Sequence, residues 1–148
     1  MSSDDPIAAL NEVLNELIDV VQKVKQAQWK VPRTHPLHVV IEELFDDMRS
    51  WVGLLFDEDR ILGVSPLTRM SSVAGRTPSN LWSGTASDEE VRRIIAGELD
   101  RFAQHVMTAL AQQEDDDGRA ALLEVERGLL AHRRALAELD IDASEPPA

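Results

Sequence analysis

Apolar residues recur at steps of three and four along most of the chain, which is the spacing of one face of an α-helix. The first run has apolar positions at Ile7, Leu10, Leu14, Leu17, Val21 and Val24. Asp5 and Pro6 precede it, as a capping carboxylate and a proline suited to the first helical position. Because Pro32 cannot continue a helix, we predict that this helix of about six turns ends near Val31.

A second amphipathic run begins a few residues later, with Thr34 or His35 as its cap and Pro36 in its first turn. Its main stripe is Leu37, Ile41, Leu44, Met48, Trp51 and Leu55, and Val40, Phe45, Val52 and Phe56 widen it before Gly63 stops the helix. A stripe this wide predicts burial both inside a bundle and against another copy of the chain.

The next segment, from Gly63 to Ser87, is rich in Ser, Thr, Pro and Gly, and we predict a short helix within it over residues 66–73. Ser87 and Glu90 form a capping box that opens a third helix, and a fourth runs from about Arg119 to Leu139. The acidic run 114–117 is predicted to be a solvated turn ending at Gly118. Residues 140–148 are acidic and proline-containing and are predicted to be disordered.

Four long helices with a long middle connection predict an all-α fold, the ferritin-like four-helix bundle with a crossover that contains a short helix. The 148 residues suffice for a single ferritin-like domain, with the bundle over about 6–139. No segment alternates like a strand. The chain has no cysteine, no signal-peptide pattern and no apolar run long enough to span a membrane, so we expect a soluble, cytoplasmic protein.

The chain is strongly acidic, with 27 acidic side chains, 15 basic ones and a formal charge of -12. Such a surface attracts cations and repels phosphate backbones, so no direct DNA binding is expected. Any metal must be held by His, Asp, Glu or water. No Glu-x-x-His pair occurs around any of the four histidines, which excludes the internal di-iron site of many ferritin-like bundles.

Candidate chemistry is concentrated at the corner between the first two helices. Gln28 lies on the extension of the first stripe, where its amide needs hydrogen-bond partners. His38 and Glu42 are four residues apart, so they share a helix face and could bind one cation; a hydrogen-bonded surface pair is the alternative. Asp57 and Asp59 lie about 30 Å along the same helix. Only two antiparallel copies of the helix, in a two-fold dimer, would bring them to His38.

The remaining histidines and tryptophans receive simpler interpretations. His132 lies on the stripe of the fourth helix and is predicted to be a hydrogen-bonded core histidine, and Trp51 is predicted to pack in the core. His105 is assigned no role.

The segment Lys25-Gln26-Ala27-Gln28-Trp29-Lys30-Val31 resembles the Lys-x-Ala-His-Trp-Asn-Val segment of the Dps mini-ferritins, the starvation-induced DNA-protecting proteins. Further similarities are Leu37-His38, Asp59-Arg60-Ile61 with Gly63, Pro66-Leu67, and the last helix with Glu126-Arg127-Gly128-Leu129 and His132. The resemblance implies a hollow dodecamer built from two-fold dimers. It also implies iron storage, with Fe(II) oxidised by peroxide or oxygen at sites shared between subunits, and protection from oxidative stress.

Transferred residue by residue, this resemblance implies a degenerate ferroxidase site. Gln28 replaces the first histidine ligand, and an amide is a poor substitute for imidazole at Fe(II). His38 and Glu42 match the next ligands. The partner's two carboxylates fall on Gly53 and Asp57 in one alignment, and on Leu55 and Asp59 in the other, so one is missing in either.

We therefore expect a Dps-like protein that binds iron, or another divalent metal, with weak ferroxidase activity. The alternative is a metal-free ferritin-like scaffold or interaction protein. Trp29 has two interpretations, either as the indole beside the metal site or as an anchor at the helix corner and subunit contact.

Overall fold

The computed structural model describes residues 6–61 and 87–140, apart from the side chains of residues 6, 7 and 59–61. Within these ranges the chain forms four α-helices and no strand: α1 (Pro6–Lys30), α2 (Pro36–Ile61), α3 (Asp88–Gln112) and α4 (Asp116–Glu138). The predicted all-α bundle is confirmed. The predicted short helix over 66–73, the stop at Gly63 and the predicted disorder beyond residue 140 lie outside the described residues.

The four helices pack as a bundle in which α1 and α4 each contact α2 and α3. The predicted stripes face inward and are almost completely buried. They include Leu10, Leu14, Leu17, Leu37, Ile41, Leu44, Met48, Leu55, Ile95, Leu99, Phe102, Leu122, Val125 and Leu136. The residues that widen the α2 stripe are only partly buried against this core: Val40, Phe45, Val52 and Phe56.

Side-chain caps fix where the helices begin. Ser87 accepts a hydrogen bond from the backbone N–H of Glu90, and the Glu90 carboxylate accepts one from the N–H of Ser87, so the predicted capping box is present. At the start of α2, His35 Nδ1 accepts a hydrogen bond from the N–H of Leu37 at 3.0 Å. His35, one of the two residues predicted to cap α2, therefore does cap it.

The prediction for the start of α4 was wrong, because the helix begins at Asp116 and not near Arg119. The Asp115 carboxylate accepts a hydrogen bond from the N–H of Gly118 at 2.8 Å and caps the helix. Asp116 and Asp117 occupy the first turn, where negative charge is favoured by the helix dipole. Asp115, Asp116 and Asp117 of the exposed acidic run thus form the start of a helix, whereas Glu114 lies in the short connection before it.

A buried ion pair that sequence reasoning did not identify joins α1 to α3. Lys23 Nζ lies 3.0 Å from Glu98 Oε1 and 3.0 Å from Asp19 Oδ2, and Arg101 lies 2.7 Å from the other Glu98 oxygen. Lys23 and Glu98 are only 4% and 3% exposed. Burial by itself lowers the pKa of Lys23, but the hydrogen bonds and charges of Glu98 and Asp19 outweigh it and raise the pKa.

Trp51 of α2 packs onto the backbone of α4 at Gly128. A Cβ atom at position 128 would overlap the Trp51 ring, and the indole is 4% exposed. The ring also meets His132 edge to face, with 6.1 Å between centroids, and His132 Nε2 donates to Asp47 Oδ2 at 2.6 Å. Trp51 and His132 are therefore a core residue and a hydrogen-bonded buried histidine, as predicted.

We predict that Gly128→Ala destabilises the protein by about 1–3 kcal/mol, because the rigid, buried indole of Trp51 must shift to admit a methyl group. Gly97→Ala is the matched control, since nothing lies within 4 Å of a Cβ added there. This control should gain roughly 0.5–1 kcal/mol from helix propensity. Urea unfolding at one fixed protein concentration measures both changes, and equal behaviour of the two variants would contradict the packing argument.

Candidate metal site at the corner of the first two helices

A concave surface lies where α1 ends, the chain turns and α2 begins. We call it the corner cavity. It encloses about 550 Å³ and is lined by Lys25, Gln28, Trp29, Val31, Arg33, His38, Val39 and Glu42. The site residues predicted on the first two helices near the corner, Gln28, Trp29, His38 and Glu42, are thus brought together by the fold.

His38 is held in an orientation suited to a metal ligand. Its Nδ1 lies 3.1 Å from the carbonyl oxygen of Val31. Because a carbonyl can only accept, Nδ1 carries the proton and donates, and in the neutral ring Nε2 keeps a free lone pair. Histidines that bind metals commonly donate their other ring N–H to a carbonyl in this way. The bond also ties the first turn of α2 to the end of α1.

Gln28 and Glu42 face each other across the cavity. Gln28 Nε2 donates to Glu42 Oε2 at 3.4 Å, whereas Gln28 Oε1 is buried and has no hydrogen-bond partner among the described residues. The predicted need for partners is therefore only half met. His38 and Glu42 are not bonded to each other as a surface pair; they point at the same cavity from successive turns of α2. This amide oxygen has almost no exposed surface, so it can accept from a ligand or coordinate a hard cation only after the Gln28 side chain turns toward the cavity.

Trp29 does not anchor the corner within the subunit, because its side chain is 74% exposed. Within one chain, the interpretation of Trp29 as an anchor of the helix corner was therefore wrong. The Lys25 ammonium lies 5.9 Å from the centroid of its ring and 4.7 Å from that of Phe45. The lysine thus sits between two aromatic rings, an arrangement stabilised by cation–π attraction. The exposed indole remains free to meet a second subunit.

The predicted carboxylates at the other end of α2 are not near His38 in one chain. Asp57 is exposed and its charge acts instead on Glu58, together with Asp115 and Asp117 at the start of α4. The side chain of Asp59 lies outside the described residues. Among the side chains that the structure describes, no three of His, Asp and Glu lie close enough to hold one metal ion.

Two basic residues of the corner cavity were missed as site residues. Lys25 lies one helical turn before Trp29, so the i,i+4 spacing was a usable signal. Arg33 lies in the connection between the helices. The sequence has no helical repeat there, so it does not predict the direction of the side chain. Sequence reasoning also missed that His35 Nε2 approaches Asp88 at the start of α3, 3.4 Å away.

Searches of the sequence against models of protein families and against characterised proteins found no match. Solved structures do match. A two-domain protein from Anabaena variabilis with DJ-1/ThiJ/PfpI-like and ferritin-like domains gives a TM-score of 0.84 at 14% identity, over 99% of this chain. The chain spans 41% of the length of that protein.

Two Dps structures match over nearly their whole length. Dps from Microbacterium arborescens, in a high iron form, has a TM-score of 0.77 and 18% identity, covering 91% of this chain and 92% of the other. Dps92 from Deinococcus radiodurans has a TM-score of 0.70 and 20% identity, covering 99% of both chains. The fold is therefore the ferritin-like four-helix bundle of Dps structures, as predicted. No described helix is long and apolar enough to cross a membrane.

Among the described side chains near the end of α2, Glu58 combines a shifted pKa with an unpaired oxygen. Burial raises its pKa, and the charges of Asp117, Asp115 and Asp57 raise it further. Its Oε2 is buried and has no hydrogen-bond partner among the residues that the structure describes. Ionisation of Glu58 in the folded subunit is therefore unfavourable.

We predict that Glu58→Gln stabilises the metal-free protein at neutral pH. Because the pKa of Glu58 is higher in the folded than in the unfolded chain, stability is lost as the pH rises through the interval between the two values. The gain should vanish at about pH 3 and below, where the carboxyl is protonated in both states. Thermal unfolding at both pH values measures this. Exposed Glu124→Gln is the control, and an equal gain in that variant, or a gain that persists in acid, would refute the prediction.

Proposed function

We propose that the protein is a Dps-like mini-ferritin that binds Fe(II) at sites shared between two subunits, stores iron and limits damage by peroxide. The observation that carries the proposal is the orientation of His38. Its Nδ1–H is bonded to the Val31 carbonyl, which leaves the proton off Nε2 in the neutral ring, and His38 lines the same cavity as Glu42 and Gln28. The likeness in fold to Dps structures supports it, including one from Microbacterium arborescens in a high iron form.

In this proposal each residue has a distinct task. His38 Nε2 and a Glu42 oxygen bind Fe(II), and Glu42 gives up its bond to Gln28 as it does so. Asp57 or Asp59 of a second subunit supplies a further carboxylate, across a two-fold axis that sets two α2 helices antiparallel. Oxidation by peroxide or oxygen would follow with low efficiency, because Gln28 supplies an amide in place of an imidazole and one partner carboxylate is missing.

Replacing ligands tests the proposal directly. We expect His38→Ala and Glu42→Ala each to weaken Fe(II) binding by about tenfold or more, as for loss of a ligand from a small site. Gln28→His should strengthen binding and speed oxidation by peroxide, because it restores an imidazole. Anaerobic calorimetry with Fe(II), followed by peroxide addition, measures both steps. His105→Ala is the control, since His105 is exposed and pairs only with Glu16 among the described residues.

The proposal would be overturned by two results together: no saturable Fe(II) binding in the native protein, and no gain in Gln28→His. The same results would support a metal-free scaffold. That second function is favoured by one observation, the hydrogen bond from Gln28 to Glu42, which ties up a carboxylate that a metal would need. Crystals grown with excess Fe(II) or Zn(II) separate the two functions, because the scaffold predicts that this bond survives.

The assembly is proposed to be a cytoplasmic dodecamer of two-fold dimers with no direct DNA binding. The outer surface of α2 carries apolar side chains beyond those that its own bundle buries, namely exposed Val39 and the partly buried residues that widen its stripe. Exposed Trp29, near the end of α1, adds to this apolar surface. The charge of -12 opposes contact with a phosphate backbone.

We expect multi-angle light scattering to give a mass near that of a dodecamer of the 16.5 kDa chain. Trp29→Ala should shift the distribution toward smaller species, because the exposed indole is placed in the subunit contact. Exposed Leu130→Ala, on α4, is a control of comparable apolar surface loss away from that contact. A monomeric native protein would remove the shared site from the proposal.

A further inference from the structure

The corner cavity carries more positive than negative charge. Two cationic side chains line it, Lys25 and Arg33, against the single carboxylate of Glu42. Arg33 is exposed and makes no ion pair with any residue that the structure describes. Among the residues that the structure describes, the Lys25 ammonium contacts two aromatic rings and no carboxylate. On a protein with a formal charge of -12, this is a local reversal of sign.

The start of α2 adds to the positive potential. His38 and Val39 lie in the first turn of α2 and both line the cavity. The N-terminal end of a helix carries a partial positive charge, which favours an anion nearby. At α2 this dipole acts without free N–H donors, because the N–H groups of Leu37 and His38 already donate to His35. Cationic side chains and a helix start therefore act on the same space, from three different parts of the chain.

A metal ion entering this cavity would meet unfavourable charge. His38 and Gln28 are neutral ligands, and the one negative charge of Glu42 is exceeded by Lys25 and Arg33. Repulsion between charges this close is weakly screened in a partly enclosed site. Binding of a divalent cation therefore needs additional negative charge beside it.

We propose that the corner cavity binds a small inorganic oxyanion through Arg33 and Lys25. In the second part of the proposal, which rests on the proposed function, this anion binds together with the metal ion. Arginine presents paired N–H donors that match two oxygens of an oxyanion, and Lys25 adds a point charge. A remaining oxygen can coordinate the metal beside His38 Nε2. This supplies oxygen ligands that Gln28 and the missing partner carboxylate do not.

The unpaired oxygen of Gln28 can serve the same ligand if its side chain turns. Gln28 Oε1 is a buried acceptor with almost no exposed surface and no donor among the described residues. Turning the amide toward the cavity exposes this oxygen and breaks the bond from Gln28 Nε2 to Glu42, which frees the carboxylate for the metal. Hydrogen phosphate, dihydrogen phosphate and bicarbonate, the forms present near neutral pH, each carry at least one O–H group that can then donate to the Gln28 oxygen.

Phosphate binding to the full-length, metal-free protein tests the first part, with phosphorus NMR and calorimetry as readouts. We expect saturable binding, weakened about tenfold in Arg33→Gln through loss of a charge-assisted hydrogen bond. Arg33→Lys should restore part of the affinity. Arg127→Gln, at an exposed arginine of α4 outside the cavity, should change nothing. Absence of saturable binding of both phosphate and bicarbonate, or equal losses in Arg33→Gln and Arg127→Gln, would overturn the proposal.

Anaerobic Fe(II) titrations with and without the anion test the second part. We expect phosphate or bicarbonate to raise Fe(II) affinity severalfold in the native protein and not in Arg33→Gln. Bound Fe(II), which is paramagnetic, should also broaden the phosphorus resonance of bound phosphate. Stronger enhancement by one anion identifies which oxyanion the cavity prefers. Fe(II) binding that is indifferent to both anions would overturn the joint binding and leave the proposed function standing. If Fe(II) fails to bind under every condition while the anion still binds, the proposed function fails and the anion site stands.

Discussion

The candidate site depends on the connection between α1 and α2, which is held by hydrogen bonds of two histidines, His35 in the connection and His38 in the first turn of α2. His38 Nδ1 donates to the Val31 carbonyl at 3.1 Å, while buried His35 accepts from the N–H of Leu37 and reaches Asp88 on α3. Pro32 ends α1 and leaves few residues in which to reverse direction. These bonds therefore fix the angle of the turn, the tautomer of His38 and the start of a third helix together.

In the interior of the bundle, carboxylates are neutralised by a buried lysine. Where a ferritin-like bundle can hold metal ions among carboxylates, this one buries the ammonium of Lys23 against Glu98 and Asp19. A permanent cation attached to the chain satisfies those carboxylates without a metal. Buried pairs of this kind add little net stability, but loss of one partner leaves the other without compensation.

At the corner itself, geometry and charge act in opposite directions. The free Nε2 of His38 and the carboxylate of Glu42 favour a cation, whereas Lys25, Arg33 and the start of α2 favour an anion. A site of this mixed character is weak for a bare metal ion and stronger for a metal that arrives with an oxyanion. The exposed Trp29 beside it gives the same surface an apolar element suited to a second subunit.

Much of the fold and part of the site could be read from the sequence. Periodic apolar positions gave the four helices, because a helix that must bury one face repeats that face every three to four residues. Ser87 and Glu90 marked the start of α3, since a capping box acts over four neighbouring residues. The spacing of His38 and Glu42 placed both on one face of α2. The acidic run before Gly118 was misread, because local composition alone does not distinguish a solvated turn from a capped first turn.

Contacts between distant parts of the chain were decided only by the tertiary structure. Glu98 lies on the stripe of α3 between Ile95 and Phe102, which hinted at burial, yet nothing local named Lys23 as its partner. Arg33 belongs to a connection without periodicity, so its place in the cavity follows from how α1 and α2 pack. The spacing of apolar residues determines which face of each helix is buried, because apolar residues that recur every three to four positions lie on the same face. Which charges meet across helices depends on rotation and register, and these are set by packing over the whole bundle.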